Sequence, residues 1–498
     1  MKFICLLMLL GVFCPGQYLH AQVKPIYLSG QVVSEGKKSS TIMVMVRKDV
    51  IDSNIGATQM TCTTGRNGSF SFKLPRSGHP MRFGFEINQG KGANSFFNYY
   101  ILEPGDDIQM KINWTPEGFK YRFSGIGATK YRCRQEIDMA GNKLEPFIEQ
   151  EKNKPIFYEP VYSLRRMQLE DSILQIKYAI LNKYRKSLSR EVYHMLKSDI
   201  VGESRITFEC FFMVQQYLAD SLKKERLIQY YRSMLMLPVD TSSYSTISPA
   251  YLNFLFARSA IDLFVESNGN AEYILANVYN ARFKELYAKL KADYWGELRE
   301  RMLLNYLTDM RIQDTRGDFD SCLKDAYELV RNPYLKEILK KWRSVKLKGT
   351  PVYDFSLPDT TGKMVKLSDL RGKLVFIDIW FTGCSGCRLF ARQMDSLVYP
   401  VFKNDSNIQF VSICTDLKKS QWLKSVREEK YSLKTFINLY TNGLGMEHPF
   451  LKYYDVEGGP TLMLVDKKGR IYSVTVPRDG KSTELIALIH AAIRESGH

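Results

Sequence analysis

The 498-residue sequence is poor in cysteine and poorer still in histidine, with nine of one and six of the other. Disulfide-stapled scaffolds are shorter and much denser in cysteine, so that class is excluded. Cys5 and Cys14 fall in the opening residues, while Cys62, Cys133, Cys210, Cys322 and Cys414 are scattered singly. Lone cysteines of this kind act as small buried apolar residues. Only Cys384 and Cys387 are closely spaced, and no second C-x-x-C accompanies them. A zinc site needs about four ligands, so metal is not expected, and no cofactor motif is visible. After the opening segment no run of ~18 apolar residues appears, so no membrane-spanning helix is expected. No fixed-period repeat marks a solenoid. Long Lys/Arg blocks interleaved with aromatics are also missing. The 70 Lys+Arg outnumber the 53 Asp+Glu, net +17, but they alternate with acids, as in "KKERLIQ" and "KDAYELVR". This is a solvated basic surface, and nucleic acid is not an expected partner.

Other features are plentiful. Hydrophobic residues make up 45% and aromatics 13%, enough for packed cores. At ~100–200 residues per domain, the length suggests three. The start reads as a signal peptide over residues 1–21: Lys2 is the positive n-region, Phe3 to Val12 the apolar h-region, and Ala21 the small residue before the cut. A soluble, exported, periplasmic protein is expected. Lipidation at Cys14, and with it membrane association, is the lesser alternative, because bulky Phe13 precedes that cysteine.

Three zones follow. Residues 23–125 hold short runs rich in Val, Ile, Phe and Tyr ("IYLSGQVV", "TIMVMVRK", "SFSFKL", "MRFGFEI", "FFNYYIL", "DDIQMKINW", "KYRFSG") between turn clusters such as "GRNGS" and "EPGDD". This predicts an all-β, antiparallel sandwich or barrel. Residues 126–345 switch to apolar spacing at i, i+3, i+4 and i+7, as in "AEYILANVYNARFKELYAKL", predicting an all-α domain without recognisable chemistry. Residues 350–498 read as a small α/β sheet. A strand–turn–strand with Thr361-Gly362 at its turn leads in, followed by the buried strand "KLVFIDIWF", a helix from the C-x-x-C, the strand "IQFVSICTD", the helix "LKKSQWLKSVREE", a hairpin around Lys468-Gly469, and a closing helix.

The cysteine pair sits where a buried strand gives way to a helix. Helix N-termini carry positive partial charge and free N–H groups, both of which favour a thiolate. The attacking thiol of a C-x-x-C site can fall from ~8.5 to ~3.5–7 in pKa. Cys384 would attack a disulfide of another protein and Cys387, one turn along, would resolve the mixed disulfide, with Ser385 and Gly386 allowing the tight turn. Asp378, six residues upstream in an apolar strand, is either a buried proton carrier for Cys387 or an ordinary residue on a solvated face. Pro460, opening the strand "TLMLV", cannot donate to a sheet ladder; a cis Gly459-Pro460 bond would account for it, although generic frequencies alone do not establish one.

With these residues in place, the last zone resembles the thioredoxin fold. More narrowly, it resembles the exported TlpA/ResA-like thiol–disulfide oxidoreductases, with a redoxin-type opening "PVYDFSLPDTTGKMVKLSDLRGK". The likeness rests on Asp378 and Trp380, Cys384-Ser385-Gly386-Cys387, "VSICTD" and "YYDVEGGPTLMLVDKKGRI", and covers about residues 350–494. It implies Cys384 as nucleophile, Cys387 as resolving thiol, a redox-active disulfide between them, and a cis peptide at Gly459-Pro460 facing the sulfurs. Trp380, Gly383, Ser385, Gly386, Gly459 and Thr461 would form the client-binding rim. Partners implied are client proteins bearing disulfides or thiols and a membrane thiol donor; a homodimer is compatible. The three-zone layout resembles exported proteins of the Bacteroidetes. The chain departs from the family at Gly383 (usually Trp), at Ser385-Gly386 (usually containing Pro), and at Phe390 and Arg392 where Glu and Pro are common, while Arg388 fits. A peroxiredoxin is disfavoured because "WFTGC" sets Thr382 one residue too close and lacks the proline. The rival of another class is a surface-binding or assembly protein with a structural or weakly active thioredoxin domain. Cys414 reads as a core thiol, with an alternative disulfide partner as the lesser expectation.

Overall fold

The structure, a computed structural model, describes residues 24–33, 40–47, 49, 51, 58–88, 93–115, 118–141, 160–218, 225, 239–240, 242, 244–266, 283–308, 314 and 317–495, save 457 and 479. The expected signal peptide and Cys14 lie outside these, as does the Cys210 side chain. The chain divides into two compact units: Met1–Val46 with Met60–Ala128, and Arg47–Gln59 with Thr129–His498.

The first unit is built of β1 (Ile26–Val33), β2 (Thr41–Arg47), β3 (Thr58–Thr63), β4 (Ser69–Leu74), β5 (Met81–Asn88), β6 (Ala93–Leu102), β7 (Asp107–Thr115) and β8 (Gly118–Ile126). They form two four-stranded sheets, ordered β4-β1-β7-β8 and β3-β2-β5-β6. Period-two alternation buries Phe70, Phe72 and Leu74 of β4 and exposes the residues between. Aromatic pairs join the sheets: Phe70 with Phe85 at 5.6 Å and Tyr100 with Phe123 at 5.0 Å between centroids. Two features differ from the sequence reading. β1 runs parallel to β7, so the sandwich is mixed, not purely antiparallel. β3, "TQMTCT", has no aliphatic or aromatic run to announce it.

In the second unit, α1 (Thr129–Gly141), α2 (Pro160–Tyr184), α3 (Arg190–Leu218), α4 (Pro249–Glu266), α5 (Phe283–Asp293), α6 (Gly296–Thr308), α7 (Phe319–Leu329) and α8 (Pro333–Lys346) precede the final sheet. Leu255, Leu286, Leu303, Leu323 and Leu339 are fully buried in one core. Ile51 of the 47–59 segment joins that core, and Asp49 pairs with buried Arg301. α8 shows why such a sequence is helical. Asn332 caps it by accepting from the Tyr334 and Leu335 N–H groups, Pro333 opens it, and Leu335, Ile338, Leu339, Trp342 and Val345 make one buried stripe. Val345 continues into the next core beside Phe355 and Val375. Trp342 Nε1 and Lys341 Nζ both reach the Asp455 carboxylate, at 3.2 and 2.6 Å. Among the described residues no helix is long and apolar enough to cross a membrane.

The final part opens with the hairpin β9 (Ser356–Pro358) and β10 (Met364–Lys366). β11 (Leu374–Trp380), α9 (Ser385–Gln393), β12 (Ile408–Cys414), α10 (Lys419–Arg427), β13 (Ile437–Tyr440), α11 (Pro449–Tyr453), β14 (Thr461–Val465), β15 (Ile471–Ser473) and α12 (Ser482–Glu495) follow. The sheet order is β13-β12-β11-β14-β15. β11 is parallel to β12 and antiparallel to β14, and all seven of its residues are buried. Both faces of this central strand are therefore covered, as a continuous apolar run requires. Val375, Ile377 and Ile379 face Phe355 and Phe450. Leu374 and Phe376 face Phe390, Met394 and Ile489. The sequence reading lacked β13 and α11.

Candidate active site

Everything of chemical interest gathers where β11 ends. Cys384 follows that strand by four residues and is the N-cap of α9, with extended backbone and its Sγ accepting the Cys387 N–H at 3.0 Å. This is one of the orphan donors of a helix start, used here on sulfur. Cys384 and Cys387 are joined by a disulfide, with Cα atoms 5.3 Å apart. Cys384 is 6% exposed and Cys387 fully buried, so only the first sulfur is open to attack.

The approach to the pair is braced by residues the sequence reading passed over. Thr382 donates its N–H to Asp416 Oδ1 at 2.8 Å and its hydroxyl to Oδ2 at 2.6 Å, and lies 2.7 Å from the Ser425 hydroxyl. Gly383 donates to the Tyr431 hydroxyl at 3.0 Å, and the Tyr431 ring stacks on Trp380. The Trp380 Nε1 donates to Ser412 at 2.6 Å. Trp380 is thus fully buried and acts as a floor beneath the loop, not as part of an exposed rim. Gly383 has φ +99°, the left-handed region that suits glycine and penalises the family's usual tryptophan. A single carboxylate in "TDLKK" gives no sequence signal that it will be buried and reach back to Thr382.

The Gly459-Pro460 bond is cis. The Gly459 carbonyl oxygen is 3.4 Å from Cys384 Sγ, and a Cβ on Gly459 would come within 2.9 Å of Cys387 Sγ. No other residue fits so close to the sulfur. A Cβ on Gly386 would stand 3.2 Å from the Pro460 ring, so the two loops touch. Pro460 is buried, Ser385 is exposed, and Thr461, half-buried, donates to the Gly458 carbonyl at 2.8 Å. Cys384, Ser385, Gly386, Cys387, Gly459, Pro460 and Thr461 therefore meet at one edge of the sheet.

Asp378 is 3% exposed, which rejects the solvated-face alternative. By alternation it shares the β11 face of Phe376 and Trp380. Phe376 lies against Phe390 of α9, and Trp380 belongs to the cluster of Cys387, so Asp378 falls between them, beneath the helix start. No hydrogen bond reaches its Oδ1 from the described residues. Burial pushes its carboxyl from 3.8 up to about 8, against a lowering pull from Arg478. Cys414 pairs in register with Trp380, is fully buried as a free thiol, and is pushed well above its ordinary range by burial. Of the described histidines here, His448 caps α11 by accepting the Phe450 N–H, and His490 packs on Phe402.

The arrangement sets two bonded sulfurs one helical turn apart above a buried carboxyl. The thioredoxin-like family matches residues 372–471. Thiol–disulfide oxidoreductase ResA of Bacillus subtilis (strain 168) is 30% identical over 146 residues, 28% of this chain and 72% of that protein. ResA of Bacillus anthracis is 28% identical over 131 residues, 25% of this chain and 66% of that protein. Among solved structures, the thioredoxin domain of a thiol–disulfide oxidoreductase from Bacteroides vulgatus is 26% identical and covers 30% of this chain and 98% of its own, with a TM-score of 0.26. At 30% identity across 72% of the Bacillus subtilis protein, the chain belongs to the ResA-like thiol–disulfide oxidoreductases, by way of a thioredoxin-like domain in its last third.

Proposed function

We propose that this is an exported, periplasmic oxidoreductase that reduces disulfides in client proteins through Cys384 and Cys387, and is itself recharged by a membrane thiol donor. One observation carries the reading: an accessible sulfur at the N-cap of α9 takes a helix N–H, while its bonded partner is sealed beneath it. In the reduced protein the Cys384 thiolate attacks a client disulfide, and the client's second sulfur departs as a thiolate. Cys387 then gives its proton to the Asp378 carboxylate and attacks Cys384 Sγ. The client is released with two electrons, and the Cys384–Cys387 disulfide remains. In recharging, a donor thiolate attacks Cys384 Sγ, the less deeply buried sulfur, and protonated Asp378 returns its proton to the departing Cys387. A carboxyl with pKa about 8 suits both directions near neutral pH. Gly383, Ser385, Gly386, Gly459 and Thr461 surround the point of attack, with Pro460 against the sulfurs and Trp380 below.

The three-domain division, 23–125, 126–345 and 350–498 after a signal at 1–21, belongs to the same reading. In it the first two domains position a client or support a dimer. The test is covalent capture: with Cys387→Ser, a disulfide-bearing client stays attached to Cys384, whereas Cys384→Ser captures nothing and no longer reduces insulin under dithiothreitol. Unchanged insulin turnover in Cys384→Ser would instead favour a binding protein with an inactive thioredoxin domain.

A further inference from the structure

Arg478 follows β15 in the segment "VPRDGKST" and carried no expectation from the sequence. Its guanidinium donates through Nη1 to the Pro460 carbonyl. Its charge also acts on the Asp378 carboxyl, favouring the ionised form. The Pro460 carbonyl belongs to the loop whose Gly459 lies against both sulfurs. One half-buried side chain therefore holds the loop over the disulfide, while its charge acts on the acid beneath. The surroundings of Asp378 offer little else: its register neighbours are Ser412 on β12 and Leu462 on β14, α9 brings Cys387 and Phe390, and α12 brings Leu485 and Ile489.

We propose that Arg478 is a positioning residue for the exchange reaction, holding the Gly459-Pro460 loop beside the sulfurs and keeping a positive charge against Asp378 so that it can take the Cys387 proton. This rests on the exchange reading above. When Cys387 resolves the mixed disulfide, its S–H proton passes to Asp378, the Cys384–Cys387 bond forms, and the client thiolate leaves with the electron pair. Without the nearby charge, less of Asp378 is ionised at a given pH, and this step waits for a higher pH.

The two roles separate by substitution. Arg478→Lys keeps the charge, Arg478→Gln keeps a donor for the Pro460 carbonyl without charge, and Arg478→Met keeps neither. The measurement is stopped-flow oxidation of reduced full-length protein by a disulfide-bonded peptide, from pH 5 to 10, following peptide release. Arg478→Gln and Arg478→Met are expected to move the midpoint of the release step up by about one pH unit, and Arg478→Met to slow release about 10-fold or more at pH 7. Arg478→Lys should keep the wild-type midpoint. If Arg478→Met does not fold, the midpoint of Arg478→Gln against Arg478→Lys decides. A wild-type midpoint in Arg478→Gln, or equal slowing in all three with the midpoint unmoved, overturns the proposal. Wild-type protein that never reacts with the peptide would instead sink the exchange reading itself.

Discussion

Asp378 concentrates the physical tension at the level of single residues. A carboxyl buried in an all-apolar strand prefers to stay protonated, and its shift to about 8 expresses that cost. The consequence for stability has a definite sign. Between about pH 4 and 8 the folded chain holds a proton that the unfolded chain has released. Stability is therefore full below pH 4, falls as pH rises through this window, and levels off above pH 8. Asp378→Asn removes this dependence. The mutant is expected to match wild type near pH 4 and to exceed it by a few kcal/mol at pH 8, an order of magnitude set by ~1.4 kcal/mol per unit. Denaturant unfolding of the oxidised protein across pH checks this, and parallel curves for the two proteins would contradict it. The same variant should lose client release. The disulfide of Cys384 and Cys387, buried Asp378 and the cis bond before Pro460 were legible at this scale, since these residues announce themselves by spacing and by breaking the apolar pattern. Asp416 and Arg478 did not, because a charged residue in a loop looks the same whether it faces water or folds back across the sheet.

At the level of elements, the site depends on how β11 hands over to α9. Four residues bridge them, and Asp416, just past β12, holds Thr382 by two hydrogen bonds. Asp416→Ala leaves the Thr382 N–H without that acceptor in a half-buried loop. The expected loss is about 1–3 kcal/mol of stability, read from the denaturation midpoint. A loss below about 0.3 kcal/mol would mean that water replaces the brace. Elements with a strong pattern, such as periodic α5 and the unbroken apolar run of β11, are readable because burial dictates the residue type along their length. β13, only "INLY", and polar β3 are short and are held by their neighbours' ladders, which a local pattern cannot reveal. The parallel pairing of β1 with β7 is likewise a long-range choice.

For the molecule as a whole, the helical run and the thioredoxin-like sheet share contacts that bear on any dissection. Val345 lies in the core of the sheet, and Asp455 holds both Lys341 and Trp342. A fragment from residue 333 should therefore be more stable than one from residue 350, by about 1–3 kcal/mol for the lost buried side chains, as judged by thermal unfolding. Equal stability would show that α8 is dispensable to the redox domain. On the proposed reading, both fragments keep exchange with a small peptide disulfide, and the full chain alone discriminates among clients.

The proposed exchange requires that the reduced Cys384 sulfur be made anionic by its place at a helix start. The direct test is alkylation of reduced Cys384 by iodoacetamide across pH, in the full-length protein carrying Cys387→Ser. The account predicts a reactivity midpoint below about 7, more than a unit beneath the ~8.5 of a free thiol. A midpoint at the free-thiol value would mean that the N-cap position lends Cys384 no special reactivity, and the exchange mechanism built on it would fail.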